Sequence, residues 1–249
     1  MKKQESIFTG MGIPFILVFL LWSIHFLNLE FPELKFTSYG VFPQTIEGLR
    51  GILFSPFIHD TSDFSHIIGN SIPLFVLSWL FILSYRKLFA PAVIFIWLFS
   101  GLCVWLAGRE SYHIGASSVI YGLAYFLFFG GVFSKNKRQI ATSLIIAFSY
   151  GSMAWGIFPI EEKISWEGHL FGAVSGIIMA VYYRQMYFSP DTYNLQVNPA
   201  FEEYVNEYNE RLKLQEEEET QRSQSNTHTT SDRSYNVIFE YKKNETEDK

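Results

Sequence analysis

Six long apolar stretches constrain this chain more than any other feature. They cover residues 12–29, 66–85, 88–107, 115–133, 140–160 and 166–187. An apolar helix of about 17–25 residues spans the hydrocarbon core of a bilayer, and each stretch is of that order. A soluble helical bundle would carry polar stripes, whereas these runs are apolar all round. Trp or Tyr falls near many of their ends, where interfacial anchors sit. Charged residues make up 17% of the chain, against roughly 25% in soluble domains. The expected fold class is an all-α membrane protein. It is a six-helix bundle with a long outer loop between helices 1 and 2 and a polar C-terminal tail.

Charge divides the chain in two. Residues 1–189 hold 12 Lys+Arg and 10 Asp+Glu, and residues 190–249 hold 7 and 14. The overall acidity therefore belongs to the tail. We expect a six-span domain over 1–188 and an acidic, largely disordered cytoplasmic tail over 189–249. Residues 199–215 have the composition of a short charged helix, and 235–241 could pair as a strand. The Asn244-Glu245-Thr246 sequon would not be modified on a cytoplasmic tail. With the N-terminus in the cytoplasm, Lys2, Lys3, Arg86, Lys87, Lys135, Lys137, Arg138 and Arg184 lie on the inner side. Lys35, Arg50, Arg109 and Lys163 lie outside. Eight against four obeys the positive-inside rule, and both termini are then cytoplasmic.

Residues 30–65 form a long connection with Pro32, Pro43, Pro56 and many aromatics. A structureless loop of that length would be unusual, so a folded segment at the outer interface is expected. The turn at Arg86-Lys87 is short, which makes its flanking spans antiparallel neighbours. No basic patch with interleaved aromatics points to nucleic acid. Cys103 is the single cysteine, so no intrachain disulfide forms. No small-residue cleavage site follows Lys2-Lys3 and its apolar stretch, so no cleavable signal is expected.

Spans 2, 4 and 6 run in the same direction, and their N-terminal ends share the outer face. His66 and Asn70 open span 2, Ser117 opens span 4 and His169 opens span 6. At 1.5 Å per residue these four lie within one or two turns of a common level. Such residues are costly in lipid and usually face the bundle interior with a function. Taken alone, Gly115, Ser118 and Gly122 read equally as a small-residue packing face. Serine is a weak nucleophile that needs a base within reach, and His169 is the candidate. Gly168, Gly172 and Gly176 repeat every fourth residue and permit close approach of span 6 to span 4. The N-terminus of span 4 offers free N–H groups to an oxyanion. His66 and Asn70, at i and i+4, can add side-chain donors. No carboxylate lies at this level except Glu167, which points about 100° from His169 on a helix, so a dyad is expected.

These residues are where the chain resembles the rhomboid family of intramembrane serine proteases. Gly115-Ala116-Ser117 resembles its Gly-x-Ser motif. Tyr121 matches the tyrosine that packs on the catalytic histidine. Gly168-His169-Leu170-Phe171-Gly172, with Gly176 beyond, resembles its histidine motif. His66-Ile67-Ile68-Gly69-Asn70 resembles its His-x-x-x-Asn motif, and Arg50 and His59 resemble the arginine and histidine of its first outer loop. The likeness covers about residues 10–188. Ser118 replaces a frequent glycine, Leu49 a usual tryptophan and Phe171 a common small residue. The resemblance implies that Ser117 is the nucleophile and His169 the general base and acid. It places His66, Asn70 and the Ser117 N–H at the oxyanion, with Gly115, Tyr121 and Gly172 in support.

By the same resemblance the substrates are single-span membrane proteins cut near their outer end, in a bacterial plasma membrane. No cofactor, metal or nucleic acid is implied, and oligomeric state is left open. His25 reads as a structural hydrogen-bonder within span 1, His113 as an interfacial loop residue or, second, a residue at the site mouth, and His59 as a cap or brace of the outer loop. Cys103 reads as an apolar packing residue. The absence of His-Glu-x-x-His argues against a membrane zinc protease. The rival reading is a non-catalytic rhomboid-like protein that binds spans without cutting them. A small transporter would need midplane charges and internal repeats, and the sequence has neither.

Overall fold

The computed structural model describes residues 10–161, 164–187, 207–215 and 217. Among them the long helices are α1 (Gly12–Glu30), α2 (Phe64–Tyr85), α3 (Phe89–Ala107), α4 (Ser117–Val132), α5 (Lys137–Tyr150) and α6 (Trp166–Tyr187). The only β-type pairing described is an isolated antiparallel bridge between Val41 and His113. Gly12–Glu30, Phe64–Ala107 and Lys137–Ile157 are long and apolar enough to cross a membrane, and Ser117–Val132 is a shorter apolar helix. The protein is thus an all-helical membrane protein. Residues 140–160 do not continue as one α-helix. The α-helix ends at Tyr150 and a 3-10 turn follows over Gly151–Ile157, which matters for the site.

The chain forms two compact units, Met1–Asp191 and Thr192–Lys249. In the second unit, residues 207–215 are helical and exposed, with an i,i+4 ion pair between Glu207 and Arg211 at 3.4 Å. Residues 199–206 and 235–241, and the disorder expected of the tail, lie outside the described residues.

In the first unit α4 is the hub. It packs most extensively on α6 and also touches α2, α3 and α5. Its buried residues point in every direction, including Val119, Ile120, Leu123, Phe126 and Leu127. That is the burial expected of a helix apolar all round with neighbours on all sides. Phe81 of α2 meets Phe126 at 4.5 Å between ring centroids. Trp22 Nε1 donates to Ser71 Oγ at 3.0 Å, tying α1 to α2. Asp63 caps α2 by accepting from the Ser65 N–H.

The connection before α2 is folded, as its aromatic content implied. It contains 3-10 turns over Pro32–Leu34, Phe36–Tyr39 and Ser55–Phe57 and one-turn helices over Ile46–Leu49 and Gly51–Phe54. Two indoles of α3 pin it. Trp97 Nε1 donates to Ile52 O at 2.7 Å and Trp105 Nε1 to Thr45 O at 2.8 Å. Arg50 lies 4.2 Å from the centre of the Tyr39 ring and donates to Ser38 O at 3.1 Å.

His25 departs from expectation. It is fully buried, and among the described residues neither ring nitrogen has a hydrogen-bond partner. It packs edge-on against Phe64 at 5.0 Å instead. An imidazole flanked by aromatic rings sits there as a flat apolar body rather than as a hydrogen-bonder.

Candidate active site

The segment 108–116 links α3 to α4 and carries the candidate nucleophile. Gly115 has φ +105°, a conformation that glycine adopts without cost. It turns the chain into Ser117, the first residue of α4. A Cβ at Gly115 would stand 2.8 Å from His66 Nε2 and 3.6 Å from Asn70 Nδ2. Glycine therefore admits the polar tips of both α2 side chains against the backbone just before Ser117. Asn70 Nδ2 also donates to the His66 carbonyl at 3.0 Å, which couples the two residues along one helical face. The Gly115 N–H donates to Ser55 O at 2.8 Å, so the outer loop braces this turn.

The helix opposite supplies the imidazole. A Cβ at Gly172 would overlap the Ser118 carbonyl, and one at Gly176 would overlap that of Gly122. The two backbones touch there, as small residues permit. Tyr121 lies one turn beyond Ser117 on the same face of α4. The His169 ring stacks on the Tyr121 ring at 4.1 Å with 8° between planes. His169 Nδ1 lies 2.9 Å from the Gly156 carbonyl oxygen. A carbonyl only accepts, so Nδ1 carries the proton and donates. In the neutral ring Nε2 keeps its lone pair, the form a general base requires. Among the described residues no hydrogen bond joins the Ser117 hydroxyl to His169. In ligand-free sites such contacts are often long and close only with substrate.

A cavity of about 20 Å³ opens beside Ser117, with Ser118, His113, Ser165 and Gly168 also in its wall. It has room for a water, which hydrolysis of an acyl intermediate would need. Metal-binding clusters of His, Cys, Asp and Glu do not occur among the described residues.

Sequence reasoning missed two features. One is the orienting group of His169, a backbone carbonyl from the 3-10 turn rather than a carboxylate. The other is the position of Glu167, which is 2% exposed and lies 3.6 Å from Arg109 Nε. Glu167 was the only acidic residue of its span, so a signal existed; the partner did not follow from spacing. His113 is buried and lines the Ser117 cavity, which favours the site-mouth reading over the interfacial-loop one.

His59 is 1% exposed and its ring meets that of His66 at 5.1 Å. Burial, aided by the neighbouring His66, pushes its pKa down from 6.5 to about 3. The unfolded chain then binds a proton that the folded protein refuses. The stability contribution is complete above pH 6.5, falls as pH drops towards 3, and is level below that. The expected slope approaches about 1.4 kcal/mol per pH unit. His59→Phe keeps the ring contact and should flatten the acid limb of the melting temperature between pH 6 and 4. An unchanged limb would assign the acid sensitivity to other groups.

A family model described as the Rhomboid domain matches residues 47–186. An uncharacterized protein of Mycobacterium bovis is 36% identical over 150 residues, covering 57% of this chain and 62% of its own. An uncharacterized protein of Mycobacterium tuberculosis matches to the same extent. A protein of Acanthamoeba polyphaga mimivirus named as a rhomboid protein is 28% identical over 149 residues, 56% of this chain and 78% of its own. The chain thus spans less than two thirds of the mycobacterial relatives' length. Apolar helices around half-buried Ser117 and His66 and buried His169 and Asn70 define a helical membrane protein with a polar interior. The chain belongs to the rhomboid family.

Proposed function

We propose that this protein is an intramembrane serine endopeptidase that cleaves membrane-spanning segments with Ser117 and His169. The observation that carries the reading is the seating of His169: stacked on Tyr121 and bonded through Nδ1 to the Gly156 carbonyl. That holds the basic Nε2 on the face of α4 that bears Ser117. In the proposed reaction His169 Nε2 takes the hydroxyl proton as Ser117 Oγ bonds to the scissile carbonyl carbon. The oxyanion is held by the Ser117 N–H, His66 and Asn70. Collapse breaks the C–N bond and His169 returns the proton to the leaving amine. Water then releases the acyl group by the same route.

The topology in this reading has six crossings. Phe64–Ala107 is about 66 Å of helix, twice a bilayer, and it breaks into 3-10 geometry at Arg86–Leu88. We read it as two antiparallel spans, and α4 and α6 as spans alongside α1 and α5. The Lys and Arg bias puts both termini in the cytoplasm and the Ser117 end of α4 at the outer side of a bacterial plasma membrane. Single-span proteins would be cut near that side, where their helix must unwind, so helix-weakening residues are favoured at the cut.

A fluorophosphonate probe tests this on the full chain in lipid. Wild-type protein should label at Ser117, and Ser117→Ala should abolish labelling. A folded wild-type protein that does not label would instead favour a rhomboid-like protein that binds spans without cleaving them.

A further inference from the structure

The two groups of the proposed dyad sit at the ends of different helices. Gly172 and Gly176 weld α4 to α6 at and below the level of Ser118. Above that level a set of polar contacts joins the segment 108–116 to the residues entering α6. Arg109 donates through its backbone N–H to Glu167 Oε1 at 3.4 Å, and its Nη2 donates to Ile164 O at 2.6 Å. The His113 ring lies 3.1 Å from Arg109 O through Nε2 and 2.6 Å from Ser165 Oγ through Nδ1. The Arg109 carbonyl only accepts, so Nε2–H donates and Nδ1 accepts from the serine hydroxyl. Ser165 Oγ in turn accepts from the Gly168 N–H at 3.3 Å, one residue before His169. Burial disfavours the charged His113 ring, which keeps Nδ1 an acceptor. The Val41–His113 bridge fixes the other side of the segment, with both N–H···O bonds formed at 3.0 and 2.8 Å.

We propose that His113, Ser165, Arg109 and Glu167 form a latch that sets the separation between Ser117 and His169, and that His113 and Glu167 are positioning residues for the reaction. The inference rests on the dyad reading above. A misplacement of about 1 Å in such a pair costs about 100-fold in rate. A buried carboxylate held by an arginine also leaves a large penalty if the pairing is broken, so the latch has one strongly preferred state.

The test compares His113→Phe, His113→Gln and Glu167→Gln with wild type in lipid. The readouts are the fluorophosphonate labelling rate at Ser117 and amide hydrogen exchange along the chain. His113→Phe keeps the ring volume and loses both bonds, whereas His113→Gln keeps a donor and an acceptor. Labelling should fall about 10- to 100-fold in His113→Phe and Glu167→Gln and largely recover in His113→Gln. Amides of 164–169 should lose protection while those of 172–180 keep theirs. Wild-type labelling rates in all three variants would overturn the latch, as would loss of protection spread over the whole bundle. If wild-type protein itself fails to label, the protease reading falls. The local exchange pattern then decides whether the latch exists without it.

Discussion

Replacing His169 with alanine is expected to slow Ser117 labelling and substrate cleavage by about 10⁴- to 10⁶-fold, with substrate binding little changed. A serine hydroxyl is a poor nucleophile unless its proton leaves as the bond forms. The stacked Tyr121 ring and the Gly156 carbonyl hold the imidazole in the one tautomer that accepts that proton. Alanine removes the acceptor and leaves the oxyanion donors in place, so a small residual rate remains. Tyr121→Phe keeps the stacked face and should stay within about tenfold of wild type, because removing the hydroxyl leaves the ring contact intact. Single-turnover kinetics with a melting curve for each variant separate chemistry from folding. A His169→Ala protein that melts normally and labels within tenfold of wild type would remove His169 from the reaction.

Gly172→Ala and Gly176→Ala should each destabilise the protein by about 3 kcal/mol or more and disable the site. Overpacking ordinarily costs about 1–3 kcal/mol, but that figure assumes side chains that can yield. Here the added methyl would meet carbonyl oxygens of Ser118 and Gly122, which belong to the α4 backbone. Relief requires α6 to move away from α4, and His169 moves with it. Gly69 is the control: a methyl there meets nothing within 4 Å, and Gly→Ala inside a helix gains up to about 1 kcal/mol. Chemical unfolding in detergent, scored beside Ser117 labelling, reads both effects. If Gly172→Ala and Gly69→Ala unfold alike, close contact between α4 and α6 does not hold the bundle together.

Much of this was legible in the chain before any coordinates. Apolar length alone marked a helical membrane protein, because the cost of burying backbone and side chains in lipid is local and adds along a segment. The same reading placed Ser117, His169, His66 and Asn70 at helix ends and singled out the glycine ridge of 168, 172 and 176. Periodicity was enough for those placements. It marked the run 140–160 as a span, and Lys137–Ile157 is long and apolar enough to cross, but composition did not reveal the change to 3-10 geometry after Tyr150. It also gave His25 a hydrogen bond that the packing around Phe64 does not provide.

What orients His169 and what holds Glu167 came from tertiary structure only. The Gly156 carbonyl is chemically identical to every other backbone carbonyl, and nothing in the letters marks the one that will meet an imidazole. Arg109 and Glu167 are 58 positions apart, and they meet because α3 and α6 end beside each other. Helices and their apolar faces follow from short-range propensity and solvation, which the chain carries residue by residue. Partners of buried polar groups follow from where distant segments come to rest, and only the assembled bundle decides that.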